Sequence, residues 1–350
     1  MVKLEAKKLD PLRYNPTKML SYNRMLSFVI STRSYGKSFA LKYYVVNRAI
    51  KYGEKFIHLR RTKKDIKENM LTYFSDLKAF FPEHTFVSKG NKLYCDGDLI
   101  GYGMALSNWQ SIKSSAYPDV TTMVYDEFMK EKDFTTYLPN EPRALLNLLH
   151  TIGRDREDFR CVCLSNSTSV TNPYFLYFDL QLTKHKSENK YKRFNTFPKR
   201  PDILIEMPDA KDYIESVKKT SRFQRLIQGT DYAEMAVNNE FTDDDPSFIE
   251  KKSEGAKYKF SIIIGNTTFG YWLDMRESKL YVSYKHDPTS KLIFAMTTSD
   301  MRDNTYLLNN WKKNSWVSEM VKALQQGYLF YENQTVKNTH MEVFKKMNIR

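Results

Sequence analysis

The stretch Met25-Leu-Ser-Phe-Val-Ile-Ser-Thr-Arg-Ser-Tyr-Gly-Lys-Ser38 decides the fold. Met25 to Ile30 is a short apolar run of strand length, Ser31 to Ser38 a polar loop, and Phe39 to Tyr52 carries helical spacing. Strand, loop and helix in that order let backbone N–H groups converge on a polyphosphate in front of a helix N-terminus. Ser31, Thr32, Arg33, Ser34, Tyr35 and Gly36 supply the loop, Lys37 the cation for the outer phosphates and Ser38 the hydroxyl for Mg²⁺. In the usual pattern a glycine opens the loop, and here Ser31 stands in its place. Serine tolerates positive φ poorly, so the start of the loop is expected to be its weak point. Taken alone, the stretch predicts a nucleotide site, with a plain turn as the competing reading.

A second motif sharpens the first. The apolar strand Thr121-Thr-Met-Val-Tyr125 ends in Asp126-Glu127. Asp126 can hold the Mg²⁺ water shell beside Ser38, and Glu127 can polarise the water that attacks a γ-phosphate. An Asp-Glu pair capping a helix from Phe128 is the alternative. Both motifs in one chain, each on the expected element, predict ATP or GTP hydrolysis. Developing phosphoryl charge needs a further cation, often an arginine from a neighbouring subunit. Arg154 and Arg156, in Gly-Arg-Asp-Arg-Glu before a core strand, are the leading candidates, with Arg33 able to act in cis. Ser165-Asn166, ending the strand Arg160-Cys-Val-Cys-Leu164, is placed to sense the γ-phosphate.

Working outward, Lys55 to Arg60 reads as a strand, Lys64 to Phe81 as an amphipathic helix, and Thr85 to Met104 as a β-hairpin insertion. The expected architecture for residues 1–205 is an α/β P-loop ATPase domain of the ASCE type, a mostly parallel sheet with flanking helices. The polar, basic stretch Thr183 to Arg200 reads as a surface loop or arm. A helical linker covers 206–240, with helix from Lys211 to Ala236. Within 241–350, strands at Tyr258 to Ile264, Thr267 to Asp274 and Leu280 to Tyr284 precede helices at Thr305 to Gln326 and Asn338 to Met347, with apolar Tyr328 to Tyr331 between them. That order is the opening of a smaller α+β ribonuclease-H-like domain. A two-metal nuclease needs a carboxylate in the first strand, and Tyr258 to Ile264 has none, so the domain is expected to bind and not to cut.

Composition bounds the rest. The 350 residues, 41% hydrophobic and 14% aromatic, suffice for two folded domains. No stretch is long and apolar enough for a membrane span, and the N-terminus lacks a signal-peptide run, so a cytosolic protein without a membrane partner is expected. Cys95, Cys161 and Cys163 read as reduced core residues. Lys plus Arg number 55 against 41 Asp plus Glu, a net charge of +14 that favours a nucleic-acid partner.

With those residues in place, the chain closely resembles the DNA-packaging ATPases of phi29-type phages, a branch of the FtsK/HerA-like P-loop translocases. The resemblance is carried in order by Tyr14-Asn-Pro16, Lys18-Met-Leu-Ser-Tyr22, Arg33, Gly36-Lys-Ser38, Ile50-Lys-Tyr-Gly-Glu54, Arg60-Arg61, Trp109-Gln-Ser111, Ala116-Tyr-Pro118, Asp126-Glu-Phe128, Glu131-Lys-Asp133, Ala144-Leu-Leu-Asn-Leu148, Leu164-Ser-Asn166, Asn172-Pro-Tyr-Phe-Leu176 and Gly327-Tyr-Leu329. It implies a homomeric ring, a pentamer, that docks on the procapsid portal and drives double-stranded viral DNA inward. ATP and Mg²⁺ would sit at subunit interfaces, with Arg154 as the trans-acting arginine finger and Lys63 as a second trans cation. A structural RNA stays open as a further partner. The setting implied is the cytoplasm of an infected bacterial host, transiently on the portal and not in the mature virion. Lys130 and Lys132 would lie on a pore-facing loop and touch DNA phosphates, contacts that carry little sequence information. The C-terminal domain, degenerate as a nuclease, would grip nucleic acid or dock the ring through Lys251, Lys252, Lys257 and Lys259. The alternatives are another ring translocase or helicase of the superfamily, or a nucleic-acid-binding structural protein with a vestigial nucleotide site.

Overall fold

A strand that is apolar along its whole length belongs in the middle of a sheet covered on both faces. Leu26–Ser31 (β1) is such a strand, buried at every position, and the first part of the chain is assembled around it. The computed structural model describes residues 7–112, 116–130, 137–169, 172–180, 182, 191–227, 247–265, 267–308, 310–347 and 349. They pack as two units, Met1–Asp243 and Asp244–Arg350.

After a helical turn at Thr17–Leu20 (α1), the first unit continues through β1, Lys37–Tyr52 (α2), Lys55–Arg60 (β2), Lys63–Thr72 (α3), Phe86–Lys89 (β3), Lys92–Cys95 (β4), Asp98–Ala105 (β5), Trp109–Ile112 (α4) and Val120–Asp126 (β6). It goes on with Glu141–Gly153 (α5), Arg160–Asn166 (β7), Pro173–Phe178 (α6), Phe194–Phe197 (β8), Arg200–Glu206 (β9), Lys211–Thr220 (α7) and Arg222–Ile227 (α8). One nine-stranded sheet holds them in the order β3-β4-β5-β2-β6-β7-β1-β9-β8. The six central strands run parallel, and β3, β4 and β8 are antiparallel edges. One face buries Phe28, Tyr125, Phe128, Leu148 and Tyr174. The other buries Val29, Leu41, Val46, Ile66 and Tyr73.

Several boundaries differ from the reading of the bare sequence. The hairpin over 85–104 is no insertion: β5 pairs in parallel with β2, so the meander is the edge of the same sheet. The helix expected to reach Phe81 ends at Thr72 and gives way to tight turns, Ser75 N–H to Thr72 O at 3.0 Å and Leu77 N–H to Phe74 O at 3.0 Å, which let Tyr73, Phe74 and Leu77 face the core together. Part of the basic arm is a strand pair, because Arg193 donates to buried Glu206 at 2.9 Å and anchors β8 and β9 beyond β1; residues 183–190 lie outside the described residues. The linker helix breaks at Ser221 into α7 and α8, and 228–246 also lie outside.

The second unit holds Lys257–Ile264 (β10), Thr267–Asp274 (β11), Lys279–Ser283 (β12), Ile293–Ala295 (β13), Tyr306–Leu307 (β14), Ser315–Gln326 (α9), Leu329–Tyr331 (β15) and Gln334–Lys346 (α10). Its six strands lie in the order β14-β13-β10-β11-β12-β15. The three-stranded antiparallel start is as expected. The first helix begins only at Ser315, since Tyr306–Leu307 pairs in parallel with β13, which itself covers the edge of β10, and Trp311–Lys313 is a tight turn. No described helix in either unit is long and apolar enough to cross a membrane.

Candidate active site

At the C-terminal edge of the parallel strands the two motifs meet. Ser38, in the first turn of α2, donates its hydroxyl to Asp126 Oδ1 at 2.9 Å, joining positions 88 residues apart in sequence. The strands behind them, β1 and β6, are separated by β7 alone. Parallel open sheets place their sites at this edge.

The phosphate loop differs from expectation in one respect. Ser31 is the last residue of β1, buried and paired in register with Asn166. Positive φ falls instead on Ser34 (62°) and on Gly36 (92°), which caps α2. No glycine is required at position 31, because the strand simply continues through it. Gly36 is required: its left-handed backbone is strained for any side chain, and a Cβ there would lie 3.4 Å from Arg13 Cδ. Arg13 also donates to Ser34 O at 3.0 Å. Tyr35 packs at a tilt against Tyr14, with ring centroids 6.1 Å apart, and its hydroxyl donates to Asp209 O at 3.0 Å. The segment before β1 and the start of α7 thus brace the loop from outside. Thr32 is buried and Arg33 exposed.

Lys37 lies within the loop it serves. Its ammonium donates to Ser31 O at 3.1 Å, Thr32 O at 2.8 Å and Asn166 Oδ1 at 3.4 Å. Burial pushes its pKa down to about 8, with Asp126 opposing the shift and Arg33 adding to it. Ser165 and Asn166, the last residues of β7, pair with Ile30 and Ser31, which puts the Asn166 amide beside the lysine.

Glu127 leaves β6 in a left-handed turn (φ 60°), its side chain 65% exposed. Arg60, at the end of β2, holds it at 2.6 Å and approaches Asp126 at 3.6 Å. Arg61 turns inward. It donates to the carbonyls of Glu127 (3.1 Å) and Phe128 (2.6 Å) and to both oxygens of Glu141 (3.1 and 2.9 Å). Glu141 is fully buried and also accepts from the Tyr125 hydroxyl, the Tyr174 hydroxyl and Leu138 N–H. Buried charge is tolerated only when satisfied in this way. Sequence reading missed Arg60, Arg61 and Glu141 as site residues. The signal available was that Arg60-Arg61 follows a strand's C-terminal end.

The two candidate finger arginines separate. Arg156 donates to the carbonyls of Pro118 (2.6 Å), Val120 (2.6 Å), Ile152 (3.0 Å) and Gly153 (3.3 Å), closing the C-terminus of α5. Arg154 sits at the corner just past α5 with φ 49°, exposed, and its side chain makes no hydrogen bond or ion pair among the described residues. Lys63 is also exposed, at the first position of α3, where Thr62 and Asp65 form a reciprocal capping box. A cation there opposes the helix dipole.

Lys130 is not held out into solvent. It is half-buried, its N–H donates to the Tyr137 hydroxyl at 3.1 Å, and burial followed by nearby Arg61 lowers its pKa. Lys132 lies outside the described residues. In the second unit, β10 carries no carboxylate. Asp274 is taken up by Ser253 Oγ and the N–H groups of Arg276 and Glu277, and Asp300 by Gly265 N–H and Thr297. These acids staple turns. Lys252 lies over Trp272 at 4.3 Å and Lys259 over Trp316 at 5.5 Å.

A buried lysine at the start of a helix, a helix-start hydroxyl beside a strand-end carboxylate, and a second carboxylate next to it form a set suited to a nucleoside polyphosphate with a divalent cation. Comparison with known proteins bears on the reading. Residues 9–349 match the family described as "Podovirus DNA encapsidation protein (Gp16)". The DNA packaging protein of Bacillus phage phi29 is 47% identical over 339 residues, 97% of this chain and 99% of that one. Among solved structures, the chain is similar to a subunit of the bacteriophage phi29 viral genome packaging motor assembly, with a TM-score of 0.79 and 46% identity over 96% of this chain and 99% of that one. It is also similar to the crystal structure of the N-terminal domain of the phi29 DNA packaging ATPase, with a TM-score of 0.52 and 52% identity over 58% of this chain and 99% of that one.

Proposed function

The chain belongs to the podovirus DNA encapsidation protein family and is a phage DNA-packaging ATPase, and on that premise we propose that it hydrolyses ATP with Mg²⁺ at the Ser31–Ser38 and Asp126-Glu127 site. The observation that carries this assignment is the 2.9 Å contact between Ser38 and Asp126. Lys37 would exchange the loop carbonyls for β- and γ-phosphate oxygens. Ser38 and Asp126 would hold Mg²⁺, which supplies charge neutralisation between the outer phosphates. Glu127 would orient the attacking water. It can leave Arg60, because its own side chain is largely exposed and Arg60 keeps Asp126 at 3.6 Å. Asn166, beside Lys37, would report the γ-phosphate, with Ser165 next to it in the strand.

The remaining cation comes from a neighbour on this reading. Glu141 is tied to the Glu127 turn through Arg61, and the 13 residues of α5 carry the chain ~20 Å away before Arg154. Arg154, exposed and about a helix length from its own Glu127, would serve the next subunit's site in a homomeric ring, a pentamer by family resemblance, with Lys63 as a second trans cation. The ring would work on the portal of a procapsid in the infected bacterial host and drive double-stranded DNA inward, with a structural RNA as a further partner to test. Lys130 and Lys132 would contact DNA phosphates when the Glu127 turn shifts. The second unit would bind nucleic acid or portal through Lys251, Lys252, Lys257 and Lys259. Residues 206–240 would serve as the linker between an ATPase domain over 1–205 and this domain over 241–350. Tyr213 of α7 packs on Tyr35 with centroids 5.5 Å apart, so the root of that linker rests on the phosphate loop.

The test is ATP turnover with procapsids and DNA as Arg154→Ala subunits are mixed into wild-type rings. Loss steeper than the mutant fraction is expected. Turnover that does not fall as the mutant fraction rises would refute the assignment of Arg154 as the finger.

A further inference from the structure

Helix α5 is fastened to strand β6 at both of its ends, each time by an arginine. At its N-terminal end Glu141 accepts the Tyr125 hydroxyl of β6 at 2.9 Å, and Arg61 bridges Glu141 to the carbonyls of Glu127 and Phe128 just beyond β6. At its C-terminal end Arg156 bridges the Ile152 and Gly153 carbonyls of α5 to Pro118 and Val120 at the start of β6. The interior of the helix adds Ala144, Leu145, Leu148, Leu149 and Ile152 to the same core as β6. Helix and strand have no soft joint between these fastenings.

We propose that α5 and β6 move as one strut that carries a subunit's own hydrolytic turn at Glu127 at one end and its outward-facing Arg154 at the other. Arg61 and Glu141 are then positioning residues for two active sites at once, the one that contains their own Glu127 and the neighbouring one that receives Arg154. This rests on the trans reading of Arg154. Closure around nucleotide in one subunit shifts the Glu127 turn, and the strut delivers that displacement to the corner that serves the next.

Complementation between two inactive variants separates this idea from the reading beneath it. Glu127→Gln keeps an intact finger and Arg154→Ala an intact own site. Mixed equally in one ring, about one interface in four pairs the two intact halves, and ATP turnover returns in part if Arg154 acts in trans. The decisive mixture replaces Glu127→Gln by Arg61→Lys, which keeps the charge but loses the fork that spans Glu141 and the two carbonyls. The expected result is a kcat at least tenfold below wild type for Arg61→Lys alone, with KM close to wild type and a lowered thermal midpoint, since the buried pair with Glu141 is weakened, and no recovery when it is mixed with Arg154→Ala. Recovery equal to the Glu127→Gln control would show that Arg61 serves only its own site and would overturn the strut. Absence of recovery in the control would remove the trans reading and the proposal with it. If Arg61→Lys does not fold, Glu141→Gln, which keeps the shape of the buried side chain, is measured in the same mixtures with the same outcomes.

Discussion

Replacing Ser31 by glycine restores the pattern that phosphate loops usually show, and the structure predicts that nothing is gained. Ser31 is a strand residue paired with Asn166, with no left-handed backbone for glycine to relieve. What it gives Lys37 is its carbonyl, at 3.1 Å, which glycine keeps. Its hydroxyl reaches Thr32 O only at 3.5 Å, too long to matter. The cost is conformational: glycine within a strand destabilises by ~0.5–1 kcal/mol, which lowers Tm by about 1–4 °C for a domain of this size. Affinity for a fluorescent ATP analogue should stay within about threefold, ~0.6 kcal/mol. Gly36→Ala is the contrast, since a left-handed alanine costs ~1–2 kcal/mol and its Cβ would press on Arg13. Thermal melting and nucleotide titration of both variants check this. A tenfold tightening by Ser31→Gly, ~1.4 kcal/mol, would refute the placement of strain at Ser34 and Gly36.

Three further outcomes follow from burial. Lys37 is depressed to about 8, so affinity for ATP should hold steady below that pH and fall towards tenfold per unit above it; because the unfolded chain keeps the proton up to 10.5, the nucleotide-free fold should gain stability over the same range. A pH-independent dissociation constant from pH 7 to 9 would contradict this. His58 and His340 are buried and pushed down to about 3, so the unfolded chain takes up protons first as pH falls below about 6.5, and each unit should lose stability by up to ~1.4 kcal/mol per pH unit; urea midpoints that do not move between pH 7 and 5 would count against it. Cys161 and Cys163 are fully buried, with the Cys163 thiol pushed up by burial, so thiol reagents should label neither before unfolding, and rapid labelling of the native protein would overturn their assignment to the core.

What the bare sequence disclosed is what lies close along the chain. The phosphate loop is a continuous string, and Asp126-Glu127 announces itself at the end of an apolar strand. The strand order is not local: nothing in Arg200–Glu206 says that it lies beside β1, and only the ion pair of Arg193 with Glu206 explains why a basic stretch ends in buried strand. Arg154 and Arg156 are two apart and alike in type, and only the carbonyls around Arg156 mark it as a fastening. The Arg61–Glu141 pair spans 80 residues, so no window could have held both. Lys130 reads from the sequence as a pore-loop lysine, because the hydroxyl that meets its backbone, on Tyr137, lies seven residues further along the chain. Ser31 misled in the other direction, because a pattern defined by glycine was taken for a demand on the backbone that strand continuation removes.

The most direct measurement is DNA packaging into procapsids by Glu127→Gln. The variant should fold, bind ATP with near wild-type affinity and bind DNA. Its ATP turnover should fall by about 10²–10⁴-fold, since it loses the group that orients the attacking water, and no DNA should enter the capsid. Packaging at an appreciable fraction of the wild-type rate would show that hydrolysis at this site does not drive the motor.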